Sequence, residues 1–185
     1  MWSPDRYNKA LRFAGEWHGD QTVPGTEISY LMHLTQVCQQ ALLGALADPS
    51  LDINLVMEAA LLHDVIEDTP CSYDEVAKHF GQATADGVLA LSKRAVVDDQ
   101  LLDKPAQMLD SLARILEQPP EIAVVKMADR CTNLQAPPAH WYAREGKIAG
   151  YLAEAGVIRA QLGPANAALA AAMDRKMADY EQYTR

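Results

Sequence analysis

Cysteine is scarce in this chain and poorly spaced for chemistry. Cys38, Cys71 and Cys131 are all there is, an odd number with no CxxC pair. Neither a disulfide framework nor a thiolate zinc site is expected, and three buried thiols acting as small hydrophobes are. No apolar run approaches the ~20 residues that span a bilayer. The opening stretch MWSPDRYNKA lacks the apolar core and cleavage site of a signal peptide. The expected compartment is therefore the cytoplasm, with no membrane partner. Cations are also in deficit, 16 Lys and Arg against 25 Asp and Glu, for a net charge of -9. That balance excludes a nucleic-acid polymer as the main partner, because a phosphate backbone needs a basic surface. It leaves room for a small anionic substrate, since a metal and a few local cations invert the sign of a single pocket.

Strand signals are missing too: nothing along the chain alternates apolar and polar residues convincingly, and no repeat or dividing linker is present. What remains is helix. With 49% hydrophobic residues in 185, one domain covering residues 1–185 can bury a full core. Ser3 followed by Pro4 caps and opens a first helix to Trp17. HGDQTVPGTE (18–27) is a loop of turn formers. Helices are expected over 29–47, 54–67 and, opened by the Ser72–Glu75 capping box, up to Gly81. The next run covers 83–92, KRAVVDDQLLDK (93–104) is a connecting loop, and further helices cover 105–117, 122–134, 144–162 and 164–183. The expected architecture is an all-α bundle of eight or nine helices.

One stretch carries unusual charge. In LLHDVIEDTP (61–70), His63, Asp64, Glu67 and Asp68 crowd the end of an apolar helix. Carboxylates at a helix C-terminus oppose the macrodipole unless a cation compensates. On one helix, His63 and Glu67 are i,i+4 neighbours, as are Asp64 and Asp68. Two further groups sit on apolar faces elsewhere. His33 lies inside YLMHLTQV and, read alone, is a hydrogen-bonded core histidine. Asp129 lies inside AVVKMADRCTNL, where an unpaired carboxylate is costly or protonated; Asn133 follows one turn later on the same face. Together His33, His63, Asp64 and Asp129 make a two-histidine, two-aspartate set on three helices.

These stretches, H…HDVIEDT…KMADRCTNL, resemble the HD-domain metallophosphohydrolases, most closely the alarmone-hydrolase branch formed by the hydrolase half of the RelA/SpoT proteins and their small stand-alone relatives. The resemblance runs from about residue 7 to 136. It implies that His33, His63, Asp64 and Asp129 bind one divalent metal, typically manganese, with iron, magnesium or zinc as alternatives. Glu67 and Asp68 would position and deprotonate the attacking water, and Asn133 and Tyr30 would contact the nucleotide, Tyr30 matching a tyrosine shortly before the first histidine ligand. Lys126, three residues before Asp129, either reaches substrate or pairs with that aspartate. The implied reaction removes the 3′-diphosphate of a guanosine or adenosine nucleotide. Mixed imidazole and carboxylate ligands suit such metals and leave positions open for water and phosphate.

The chain departs from the family where substrate cations are concerned. The loop before Tyr30 usually carries an Arg-Lys pair, and here Val23 and Pro24 stand near those places; QMLDSLAR replaces a basic pair before the last ligand. Replacement cations are to be sought among Arg12, Lys93, Arg94, Lys126, Arg130, Arg144 and Lys147. His18 reads as a cap or packing residue, His79 and His140 as solvated, and Trp141 as a core plug. The alternative readings are an HD phosphohydrolase acting on another nucleotide phosphoester and a non-catalytic regulator that binds metal and nucleotide. Retention of Glu67 and Asp68 favours catalysis, because binding alone needs no water-activating pair.

Overall fold

Helix ends in this chain are written in its short polar side chains. The computed structural model describes residues 1–184. Ser3 Oγ accepts from Arg6 N–H at the start of α1 (Pro4–His18), and Asp52 Oδ1 accepts from Asn54 N–H at 2.9 Å to open α3 (Ile53–Leu62). Ser72, Asp103 and Asn166 cap α5 (Tyr73–Phe80), α7 (Lys104–Leu116) and α10 (Ala167–Tyr180) in the same way. Each cap satisfies one of the four N–H groups that a helix start leaves unpaired. The remaining helices are α2 (Leu31–Ala47), the single turn α4 (Val65–Asp68), α6 (Gln82–Leu91), α8 (Pro120–Asn133) and α9 (Lys147–Leu162). The architecture is all-α, as expected, and no described helix is long and apolar enough to cross a membrane.

The nine expected helical segments all appear, with one division. The helix expected over 54–67 breaks at His63 and Asp64 into α3 and α4, because Asp64 adopts φ -103 and ψ -2. Other ends move for visible reasons. Ser29 pairs with Thr22 across an isolated bridge, so α2 starts only at Leu31. Gly146 sits at φ 69, a left-handed conformation suited to glycine, and delays α9 to Lys147. Asn166 caps α10 after a short 3-10 turn. The expectation of no strand needs correction: residues 96–101 form a small antiparallel ribbon, β1 (Val96–Val97) and β2 (Gln100–Leu101), with Val96 opposite Leu101. Asp98 and Asp99 make its two-residue turn at φ 49 and 62, positions that favour glycine but that aspartate tolerates.

The apolar α3 is buried from Asn54 to Leu62 and packs against α1, α2, α6 and α8. α8 is buried from Glu121 to Ala128. This arrangement brings the C-terminal ends of α3 and α8 and the start of α2 to one region. Glu58, buried within α3, accepts from Arg6 Nε and Nη2 at 2.7 Å each and from Thr84 Oγ1 at 3.2 Å. That carboxylate is therefore accounted for structurally.

Close packing makes two glycines respond oppositely to the same change. A Cβ on Gly87 of α6 would lie 2.3 Å from Ile122 Cδ1 and 2.9 Å from Cγ1, whereas one on Gly150 of α9 would meet nothing within 4 Å. Overpacking costs ~1–3 kcal/mol, more than the ~1 kcal/mol that alanine gains over glycine in a helix. Gly87→Ala should therefore lower the urea midpoint and Gly150→Ala raise it, both with unchanged slope. A midpoint that rises in Gly87→Ala would show that Ile122 moves aside freely.

Candidate metal centre and its clefts

Four side chains from three packed helices converge. α2 contributes His33 from its first turn, the α3–α4 break contributes His63 and Asp64, and the last turn of α8 contributes Asp129. His63 Nε2 lies 2.9 Å from Asp64 Oδ2 and 3.8 Å from Asp129 Oδ1. His33 Nε2 lies 3.6 Å from Asp129 Oδ1 and 3.8 Å from Asp64 Oδ2. One donor atom each from His33, His63 and Asp64 falls within 4.8 Å of the others. The break between α3 and α4 is what allows adjacent residues His63 and Asp64 to face one point.

The histidine environment fits a cation. His63 Nδ1 sits 2.8 Å from Ala60 O; as the donor there it leaves Nε2 facing the cluster. Nε2 is buried without an aligned hydrogen bond, although Asp64 Oδ2 lies 2.9 Å away. A divalent ion would take that lone pair, and a backbone acceptor on the opposite ring nitrogen is the usual support for a ligating histidine. Two imidazoles and two carboxylates form a donor set suited to manganese or iron.

Charges within the cluster are strongly interdependent. Burial works against an imidazolium at His63, yet Asp64 and Asp129 outweigh it and push its pKa up to about 9. At His33 burial prevails and holds the ring below its ordinary value. Burial would raise Asp64, but His63 and the Tyr30 hydroxyl hold it well below the usual carboxylate range. Asp129 is also lowered against burial, chiefly by Lys126. In this state a proton on His63 supplies the positive charge that a metal supplies when it binds.

Around the four groups stands a layer of polar partners. Tyr30 Oη donates to Asp64 Oδ2 at 2.5 Å, Asn133 Nδ2 donates to Asp129 Oδ1 at 2.6 Å, and Lys126 Nζ lies 3.4 Å from Asp129 Oδ2. The three residues expected to meet substrate thus each engage a carboxylate of the cluster. Glu67 and Asp68 line the same cleft, of about 270 Å³. Glu67 is fixed by Lys93, whose N–H donates to Oε2 at 2.8 Å and whose ammonium lies 3.1 Å from Oε1. Asp68 accepts from Gln21 Nε2 at 3.3 Å; burial and Asp64 push its pKa up, and Gln21 opposes them.

Two further lobes open from this cleft. One, of about 320 Å³, is lined by five cations, Lys93, Lys104, Lys126, Arg130 and Lys147, against three carboxylates, Glu67, Asp129 and Glu154. The other, of about 760 Å³, has no Asp, Glu, Lys or Arg in its lining and includes Val23, Pro24, Gln36, Asn133, Trp141 and Tyr151. Of the seven cations singled out in the sequence, Lys93, Lys126, Arg130 and Lys147 reach the cationic lobe. Arg94 instead pairs with Asp110, Arg12 lines a separate surface depression, and Arg144 is exposed. Trp141 is only partly buried, a correction to its reading as a core plug: it packs on Tyr151 with Lys147 Nζ 4.6 Å from its ring centre. Lys104, Gln21 and Tyr151 escaped the sequence reading. Lys104 beside the opening Pro105 was a visible signal, but nothing local marked Gln21 or Tyr151.

The comparisons with known proteins agree with this geometry. Residues 10–163 match the family described as HD domain. The chain is 30% identical over 146 residues to the guanosine-3′,5′-bis(diphosphate) 3′-pyrophosphohydrolase of Aquifex aeolicus, covering 77% of this chain and 19% of that one. It is 36% identical over 81 residues to the guanosine-3′,5′-bis(diphosphate) 3′-pyrophosphohydrolase MESH1 of Mus musculus, covering 44% and 42% of the two chains. The aligned region is thus about a fifth of the bacterial relative's length and under half of the mouse one's. A solved structure described as a metazoan ortholog of SpoT that hydrolyzes ppGpp shares the fold, with TM-score 0.79 at 22% identity over 97% of each chain. By its match across residues 10–163, this chain belongs to the HD domain family, and divalent-metal binding comes with that membership.

Proposed function

We propose that this protein is a cytoplasmic, metal-dependent pyrophosphohydrolase that removes the 3′-diphosphate of guanosine or adenosine alarmone nucleotides, with manganese as the metal. The observation that carries this reading is the convergence of His33, His63, Asp64 and Asp129, with the buried His63 Nε2 2.9 Å from Asp64 and 3.8 Å from Asp129, beside a cleft that also holds Glu67 and Asp68. The named activity of the Aquifex aeolicus and Mus musculus relatives supports it. His33, His63, Asp64 and Asp129 would hold the ion. Bound there, a divalent metal lowers the pKa of water towards neutrality and offsets phosphate charge.

The chain's own residues do the rest. The reaction adds water across the bond between phosphorus and the ribose 3′ oxygen, so one proton leaves the water and one joins the departing oxygen. Glu67 and Asp68 orient the water and accept its proton. Lysines of the cationic lobe neutralise the diphosphate, which is how an acidic protein receives a polyanion. The uncharged lobe receives the base, where aromatic faces and side-chain amides serve either purine. With Val23 and Pro24 lining the cleft, the loop that usually brings an Arg-Lys pair brings none, so both purines are treated as substrates.

The test is pyrophosphate release by chelator-stripped protein with and without added manganese, using guanosine and adenosine 5′-phosphates that carry a 3′-diphosphate. Release that disappears with the metal and returns with it is expected. No release from either nucleotide, by protein shown to bind manganese, would overturn the proposal in favour of another phosphoester or a binding role.

A further inference from the structure

His18 ends α1 and is buried, at 5% exposure. Its Nδ1 lies 2.7 Å from Gln21 Oε1, and Gln21 Nε2 donates to Asp68 Oδ2 at 3.3 Å. The backbone of Gln21 is held at both ends: its N–H donates to His18 O and its carbonyl accepts from Tyr30 N–H, each at 2.9 Å. The Tyr30 ring in turn lies 5.0 Å from that of His18. A single proton arrangement satisfies these contacts. Turning the Gln21 amide over would set its oxygen against a carboxylate, so the amide nitrogen faces Asp68 and the oxygen faces His18. His18 must then donate from Nδ1. Its Nε2 is buried without a partner.

We propose that His18 and Gln21 are positioning residues for Asp68: a chain of two aligned donors, Nδ1–H to Oε1 and Nε2–H to Oδ2, fixes the Asp68 carboxylate over the cleft. This rests on the proposed role of Asp68 in orienting water. The anchored Gln21 backbone makes the support rigid, and neither His18 nor Gln21 is among the residues whose atoms converge on His63. Both also touch Tyr30, the partner of Asp64, so an unchanged manganese dissociation constant is what separates this role from support of the metal.

The test combines kinetics with a direct observation of the Gln21 amide. Gln21→Ala should lower kcat by about 10–100-fold, as for other groups that orient a site, with KM and the manganese dissociation constant within about twofold. In an Asp68→Ala background it should cause no further loss, since coupled groups are not additive. His18→Ala should match Gln21→Ala, while His18→Asn, whose amide supplies a donor close to Nδ1, should restore most of kcat. An unchanged kcat in Gln21→Ala, or a full further loss in the Asp68→Ala background, would overturn the assignment. In magnesium-loaded protein, the Gln21 side-chain amide resonance should shift in both His18→Ala and Asp68→Ala. A resonance that ignores both overturns the chain whatever the activity; shifts in protein that releases no pyrophosphate sustain the chain and overturn only the proposed function.

Discussion

Replacing Asp129 with asparagine should abolish tight manganese binding and pyrophosphate release together. Asp129 offers the α8 carboxylate that lies between the two imidazoles, 3.6 Å from His33 Nε2 and 3.8 Å from His63 Nε2. Its other oxygen faces the Lys126 ammonium at 3.4 Å. Asparagine keeps an acceptor for Asn133 and nearly the same shape, so it removes the anionic donor without opening a cavity. The buried Lys126 loses its acceptor in either variant, and alanine is the harsher because it also strips Asn133 of its partner. Partners one layer removed from a metal already cost 10–100-fold in affinity, so loss of a direct ligand should exceed ~100-fold, with kcat falling in step. The measurement is metal content by mass spectrometry beside pyrophosphate release, with thermal unfolding of the same sample to show that it is folded. Folded Asp129→Asn that still holds manganese tightly would remove Asp129 from the ligand set.

Much of this arrangement was legible in the sequence because its signals are local. Ser3 before Pro4 and Ser72 before Glu75 marked helix starts, and apolar periodicity placed α2, α3 and α8 in the core. His33 and Asp129 stood out as polar groups on apolar faces; the structure brings His33 to Asp64 and sets Asp129 beside both His33 and His63. What escaped depends on distance along the chain. The break at His63–Asp64 has no glycine or proline to announce it; it follows from the tertiary setting. The ribbon at 96–101 is two residues long on each side, too short for alternation to register, and its Asp98–Asp99 turn lacks the usual glycine. The Tyr30 hydroxyl meets Asp64, 34 residues away. Gln21 reaches Asp68 across 47 residues. The cationic lobe likewise gathers Lys93, Lys104, Lys126 and Lys147 from four separate places, and no spacing rule joins them.

Glu67→Gln should leave the metal bound while slowing turnover, which separates water activation from ligation. Glu67 lies in the same cleft as Asp64, but its two oxygens are occupied by Lys93, one by the backbone N–H at 2.8 Å and one by the ammonium at 3.1 Å. Those bonds fix the carboxylate and leave its remaining lone pairs facing solvent in the cleft. Glutamine can keep only one of them, because its amide nitrogen must face one of Lys93's two donors. The variant therefore loses both proton-accepting capacity and part of its orientation. General-base losses run ~10²–10⁴-fold in kcat, or about 3–5 kcal/mol of barrier, and the manganese dissociation constant should stay within about threefold. Asp68→Asn provides the comparison. Lys93 takes up both Glu67 oxygens, whereas Asp68 meets only the Gln21 amide and has its pKa pushed up by burial and by Asp64. Asp68→Asn should thus cost at least as much as Glu67→Gln if Asp68 takes the proton and Glu67 holds the water. A larger loss in Glu67→Gln would reverse those two roles, and unchanged turnover in both would mean that neither carboxylate activates the water.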